Sequence, residues 1–87
     1  MRRIIEIYNN TTFELSKLDI QKDPSSPVIR FCVRDKLVGI FAIETGKIVL
    51  DNGLTKFEYM LAEKEIIHNR CKFLQSWDNY SKFLEKI

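Results

Sequence analysis

Histidine is nearly missing from this chain: His68 is the only one among 87 residues, and cysteine occurs only as Cys32 and Cys71. A zinc site needs three or four convergent ligands. Lys64 and Lys72 occupy the positions one helical turn either side of His68, so the sequence offers no metal site and implies no cofactor. Two cysteines without framework or ligand spacing read as reduced thiols in a reducing compartment. Only three glycines are present, Gly39, Gly46 and Gly53, and each has a turn or strand role, which leaves no phosphate-cradling loop. Glu63 and Glu65 fall on different helix azimuths, so no paired-carboxylate hydrolase is indicated. These absences weigh against an enzyme without excluding one.

Long apolar runs are also lacking. Nothing approaches the roughly 18 residues of a membrane span. The Met1-Arg2-Arg3 start leads into strand-like Ile4-Ile5-Glu6-Ile7-Tyr8 instead of a signal core. A cytoplasmic protein with no membrane partner is expected. Neither sign of charge dominates: 14 basic against 12 acidic residues give +2, too balanced to argue for nucleic acid alone.

Apolar residues at 45%, with six Phe, three Tyr and one Trp, suffice for one small core. The pattern predicts a single α+β domain over residues 1–87: an antiparallel meander of three to five strands packed on a C-terminal helix. Strands are expected at about 3–8, 12–18, 28–34, 37–43 and 47–50, with a turn at Asn9-Asn10-Thr11 and a loop at Asp23-Pro24-Ser25-Ser26-Pro27. A hairpin turning at Asp35-Lys36 pairs Val33 with Val38, Phe31 with Ile40 and Ile29 with Ala42, which makes one apolar face. Gly46 is placed for the left-handed residue of the next turn, bringing Ala42 to Ile48 and Ile40 to Leu50. Thr55-Lys56-Phe57-Glu58 is a capping box that opens a helix over 56–75. Ser76 or Asp78 can cap a second helix over 77–86, or the first continues. The helix stripe Phe57, Met60, Leu61, Ile67, Cys71 and Leu74 is expected to cover the sheet.

Two candidate surfaces follow. The opposite sheet face should carry Arg30, Cys32 and Arg34 with Leu37, Phe41 and Ile43, and then Lys47 and Val49. Arg30, Arg34, Cys32 and Lys47 are the candidates for binding an anionic partner. The second surface is another helix stripe, Tyr59, Ile66, Phe73 and Trp77, spaced by seven, seven and four residues as in packed helices. It serves either as a dimer or partner interface, or is covered within the monomer by the 78–87 segment or the N-terminal strands.

The run Arg30-Phe31-Cys32-Val33-Arg34, the turn Ile43-Glu44-Thr45-Gly46, and a helix with a late Trp before the final Leu84-Glu85-Lys86-Ile87 resemble family 4160 of the bacterial domains of unknown function. The likeness covers about Pro27 to Ile87. Where the family pattern has two histidines, this chain has Arg30 and Cys32, so the metal contact or proton transfer those histidines could support does not carry over. Resemblance to the family implies a toxin–antitoxin, defence or phage-related setting. The expected function is a small non-enzymatic protein-interaction module whose partner is another protein or a second copy. The alternatives are a nucleic-acid-binding module using the arginine-bearing face, or a small nuclease-like toxin.

Overall fold

The computed structural model describes residues 2–8 and 11–85, with side-chain environments from 11 to 85. Five strands form one antiparallel meander in the order β1-β2-β3-β4-β5. They are β1 (Arg2–Tyr8), β2 (Thr11–Ser16), β3 (Val28–Val33), β4 (Lys36–Ala42) and β5 (Ile48–Asp51). Helices α2 (Lys56–His68) and α3 (Arg70–Glu85) cover one face, and a short α1 (Lys17–Lys22) follows β2. The α+β architecture matches expectation. Asn9 and Asn10 of the expected first turn, and the expected helix end at Lys86, lie outside the described residues.

The central hairpin departs from the expected register by one residue. Ile29 pairs with Phe41, Phe31 with Gly39 and Val28 with Ala42. The turn is Arg34-Asp35 instead of Asp35-Lys36, and both residues have positive φ, 53° and 66°. Positive φ at both central positions is the type I′ geometry, whose twist matches that of the flanking strands. A one-residue slip exchanges the faces of a strand. Phe41 and Ile43 therefore lie in the core, fully buried, while Ile40 stands beside Arg30 on the other face. Size decides between the two registers, because Phe and Ile at 41 and 43 bury more apolar surface than Ile and Ala at 40 and 42. Val38 and Val49 are skipped by the ladders, so each is the extra residue of a bulge. Gly46 does adopt the expected left-handed conformation (φ +75°), with its N–H donating to the Ala42 carbonyl at 2.8 Å.

The core is a line of aromatic contacts. Ring centroids are 5.5 Å apart for Phe73–Phe13, 5.1 Å for Phe13–Phe31, 6.4 Å for Phe31–Phe41 and 5.7 Å for Phe41–Tyr59. Each such pair adds about 0.5–1.5 kcal/mol beyond simple burial. Phe13 on β2 thus meets α3, and Phe41 on β4 meets α2.

The helix begins as expected. Thr55 Oγ1 accepts from the Glu58 N–H at 3.1 Å, and Glu58 Oε1 accepts from the Thr55 N–H at 2.9 Å. Its break falls at Asn69 rather than near Ser76. The Asn69 backbone N–H and its Nδ2 both donate to the Glu65 carbonyl, at 3.0 and 2.9 Å. A short amide side chain competing for that carbonyl is a recognised way to interrupt a helix. The bend lets α2 lie over β4 and α3 over β2.

Candidate functional site

The outer sheet face, away from α2 and α3, begins with Arg30. Its side chain points away from the core, and Glu14 of β2 is its neighbour across the ladder. Arg30 is engaged in a fork: Nε donates to Asp19 Oδ2 at 2.9 Å and Nη2 to Asp19 Oδ1 at 3.1 Å. These bonds to Asp19 raise the guanidinium pKa above its ordinary value, against the opposing effect of burial. Asp19 belongs to α1, so the pair fastens this helix to the sheet. Bidentate carboxylate contacts are among the stronger charge-assisted bonds; this one takes two of the five guanidinium donors and offsets the charge that would attract an anionic partner.

The strand expected over 12–18 stops at Ser16, and the chain turns into α1 from Lys17. The signal was present in the chain: Ser16 and Asp19 have the Ser-x-x-Asp spacing of a helix start. Ser16 Oγ accepts from the Leu18 N–H at 3.2 Å as the cap. Between α1 and the sheet lies an open cleft of about 730 Å³, whose lining includes Glu14, Ser16, Leu18, Arg30, Cys32 and Leu37. Glu14 and Cys32 are buried at its floor. Cys32 pairs with Thr12 and with Leu37 in the ladders, and the Thr12 hydroxyl is buried with no hydrogen-bond partner among the described residues.

The four residues expected to bind an anion do not form one surface. Arg30 and Cys32 share the cleft. Arg34 is exposed in the type I′ turn at one end of β4, and Lys47 is exposed in the turn at the other end. A seven-residue strand separates them, a distance of about 20 Å. With Arg30 committed to Asp19, the described residues hold no continuous basic patch on this face. Among them, no three His, Cys, Asp or Glu side chains converge as a metal-binding set.

The expected helical interface requires a larger correction. Ile66 and Phe73 are fully buried, Trp77 is 3% exposed, and half-buried Tyr59 packs on Phe41. The Trp77 Nε1–H donates to the Pro24 carbonyl at 3.0 Å. This stripe is the core face, closed within the chain by the sheet and by the loop after α1.

The stripe expected to cover the sheet is instead turned outward. Phe57 is 73% exposed, Met60 59% and Ile67 49%. Ile66 follows Phe57 by nine residues, about 180° around the helix, so the exposed side chains stand opposite the buried ones. Cys71, at the start of α3, is exposed as well. A Cβ added to Gly46 would come within 3.1 Å of Ile67 Cγ1 and 3.8 Å of Glu63 Cγ. Glu63 and Ile67 therefore sit over the β4–β5 turn, on the flank of α2 that borders the sheet edge. The edge strand there is β5, and its Val49 and Leu50 are exposed too. No described helix is long and apolar enough to cross a membrane. Comparison with protein-family models, with curated proteins and with solved structures yields no match, so neither kinship nor activity reaches this chain from a relative.

Proposed function

We propose that this protein is a small protein-interaction module that works through the outward face of α2. The observation that carries the reading is the exposure of Phe57, Met60 and Ile67 on a helix whose opposite side already supplies the core. Apolar side chains grouped on one exposed helix face are a common mark of an interaction site, and an amphipathic helix face is a frequent docking element. Chemistry has less support: the cleft beneath α1 holds a satisfied ion pair and a buried thiol, not an arrangement of nucleophile and base. Kinship with family 4160, its toxin–antitoxin or phage-related setting and a cytoplasmic location remain parts of this proposal that rest on the chain's sequence alone.

The test is Met60→Glu. Because Met60 is exposed, stability should stay within about 0.5 kcal/mol of wild type. Gel filtration of both proteins, purified and in host-cell extract, reads association. Wild type should elute in a complex with itself or another protein, and the variant should leave it. A wild type that runs as a free monomer under both conditions refutes the module.

A further inference from the structure

We propose that Asn52 is a covalent modification site: its side chain condenses with the Gly53 backbone nitrogen to a succinimide, which water opens to aspartate and isoaspartate. This chemistry is independent of the interaction-module reading and belongs to the turn between β5 and α2. Of the five asparagines, Asn52 alone is followed by glycine; Asn9, Asn10, Asn69 and Asn79 precede Asn10, Thr11, Arg70 and Tyr80. Ring closure brings the nitrogen of the following residue onto the asparagine Cγ, and a side chain on that residue crowds the approach. Gly53 has no Cβ, and one added there would meet nothing within 4 Å. Asn52 and Gly53 are both exposed, so water reaches the ring and ammonia can leave. Asn69 and Asn79 are placed differently. Asn69 lies at the helix break with Nδ2 donating to the Glu65 carbonyl, and Asn79 lies within α3.

Water is the only co-reactant. The Gly53 N–H gives its proton to solvent hydroxide, and the nitrogen electron pair attacks Asn52 Cγ. The N–Cγ bond forms, the Cγ–Nδ2 bond breaks, and Nδ2 leaves as ammonia after taking a proton from water. Water then adds to either imide carbonyl. Cleavage at Cγ gives aspartate, and cleavage at the Asn52 main-chain carbonyl carbon gives isoaspartate. Two hydrogen bonds restrain ring closure: Asn52 Nδ2 donates to the Leu37 carbonyl at 2.9 Å, and the Gly53 N–H donates to Asp51 Oδ1 at 3.1 Å. The first holds the side chain to β4, and the second keeps the proton on the nitrogen beside a carboxylate. The same bonds set the consequence. The Asn52 backbone N–H also donates to the Val38 carbonyl, at 2.9 Å, so this residue ties the end of β5 to β4 twice. An ionised carboxylate has no donor, so aspartate at this position sets an acceptor against the Leu37 carbonyl. Isoaspartate also routes the main chain through Cβ, lengthening it just ahead of the Thr55 cap. Conversion thus loosens the junction from which α2 starts.

Incubation of the purified protein at mildly alkaline pH, followed by peptide-mapping mass spectrometry and enzymatic methylation of isoaspartate, tests this. Wild type should convert at Asn52 ahead of Asn69 and Asn79, yielding both products. Asp51→Ala removes the acceptor of the Gly53 N–H and should raise the Asn52 rate by about tenfold, the equivalent of one charge-assisted hydrogen bond. Asn69 and Asn79 should keep their rates, because they report any general loosening of the fold. Asn52→Asp makes the aspartate product directly and should lower the urea midpoint read by Trp77 fluorescence. Conversion spread evenly over the three asparagines overturns the site. So does an Asn52 that persists in the protein while a synthetic peptide of residues 50–55 converts fully. After Asp51→Ala, a rise shared by all three asparagines, or no rise, overturns the restraint. An Asn52→Asp midpoint equal to that of wild type overturns the consequence for the fold.

Discussion

Phe57 and Phe73 are chemically identical residues of the helical segment with opposite surroundings, and truncating each to alanine measures which side of the helices forms the core. Phe73 is fully buried with its ring 5.5 Å from that of Phe13. Removing a buried phenylalanine ring costs about 3–5 kcal/mol through lost transfer energy and the cavity left behind. Phe57 is 73% exposed, so its truncation should cost no more than about 0.5 kcal/mol. Domains of this length have roughly 4–13 kcal/mol of total stability, so Phe73→Ala removes a large share of it. Urea unfolding followed by fluorescence of Trp77, the only tryptophan, reads both variants. With a slope near 1–1.5 kcal/mol/M, the Phe73→Ala midpoint should fall by roughly 2–5 M, while that of Phe57→Ala hardly moves. The comparison belongs at low protein concentration, where self-association adds nothing to apparent stability. A Phe57→Ala loss above about 1.5 kcal/mol together with a Phe73→Ala loss below about 1 kcal/mol would invert the assignment of the two helix faces.

Turn chemistry and one carboxylate supply further tests. Asp35 holds a φ of 66°, a conformation glycine adopts without strain, so Asp35→Gly should stabilise the protein by about 0.5–1 kcal/mol in thermal or urea unfolding; a loss would argue against the type I′ turn. Gly46→Ala should destabilise by at least about 1–2 kcal/mol, because φ is +75° and the new methyl would crowd Ile67; an unchanged midpoint would contradict the packing of α2 on this turn. The Asp23 carboxylate accepts from both Ser25 groups and from Ser26, chiefly the Ser25 hydroxyl, and these bonds hold its pKa below the ordinary 3.8. Its contribution to stability is therefore complete above pH 3.8 and lost as pH falls through the lower folded value. Carbon-detected NMR titration should place Asp23 below 3.8 in wild type and nearer it in Ser25→Ala/Ser26→Ala; equal values in the two proteins would deny those bonds their effect.

Much of the architecture was legible where local chemistry is one-sided. The Thr55–Glu58 capping box and the left-handed Gly46 are short-range signals that do not depend on what packs above them. Asp51 Oδ1 accepts from the Gly53 and Leu54 N–H groups at 3.1 and 2.9 Å, closing the sheet as its sequence suggests. The start of α1 was equally local, in Ser16 and Asp19, but its brevity hid it behind the alternating pattern of β2. Arginine at positions 30 and 34 read as a pair because alternate strand residues share a face. That rule fails once the second residue leaves the strand, and Arg34 turns away in the hairpin. No pattern within one strand could show that Arg30 is held by Asp19, because that contact depends on where α1 lands.

The two larger misreadings, the β3–β4 register and the helix face, have one physical cause. β4 and the residue after it carry apolar side chains on both faces, Leu37 and Ile40 on one and Phe41 and Ile43 on the other. α2 is likewise apolar on both sides, with Tyr59 and Ile66 against the sheet and Phe57, Met60 and Ile67 away from it. Periodicity gives the spacing of a face but cannot choose between two faces of similar hydrophobicity. The choice falls to volume and turn geometry. Phe73 meets Phe13, and Phe41 meets both Phe31 and Tyr59, only when the hairpin turns at Arg34-Asp35 and the helix breaks at Asn69. A core built that way leaves Phe57, Met60 and Ile67 outside. These side chains stand where the packing of the described residues gives them little to do. The second stripe, Ile66, Phe73 and Trp77, for which periodicity leaves interface and internal cover equally open, is buried and holds that outward surface in place.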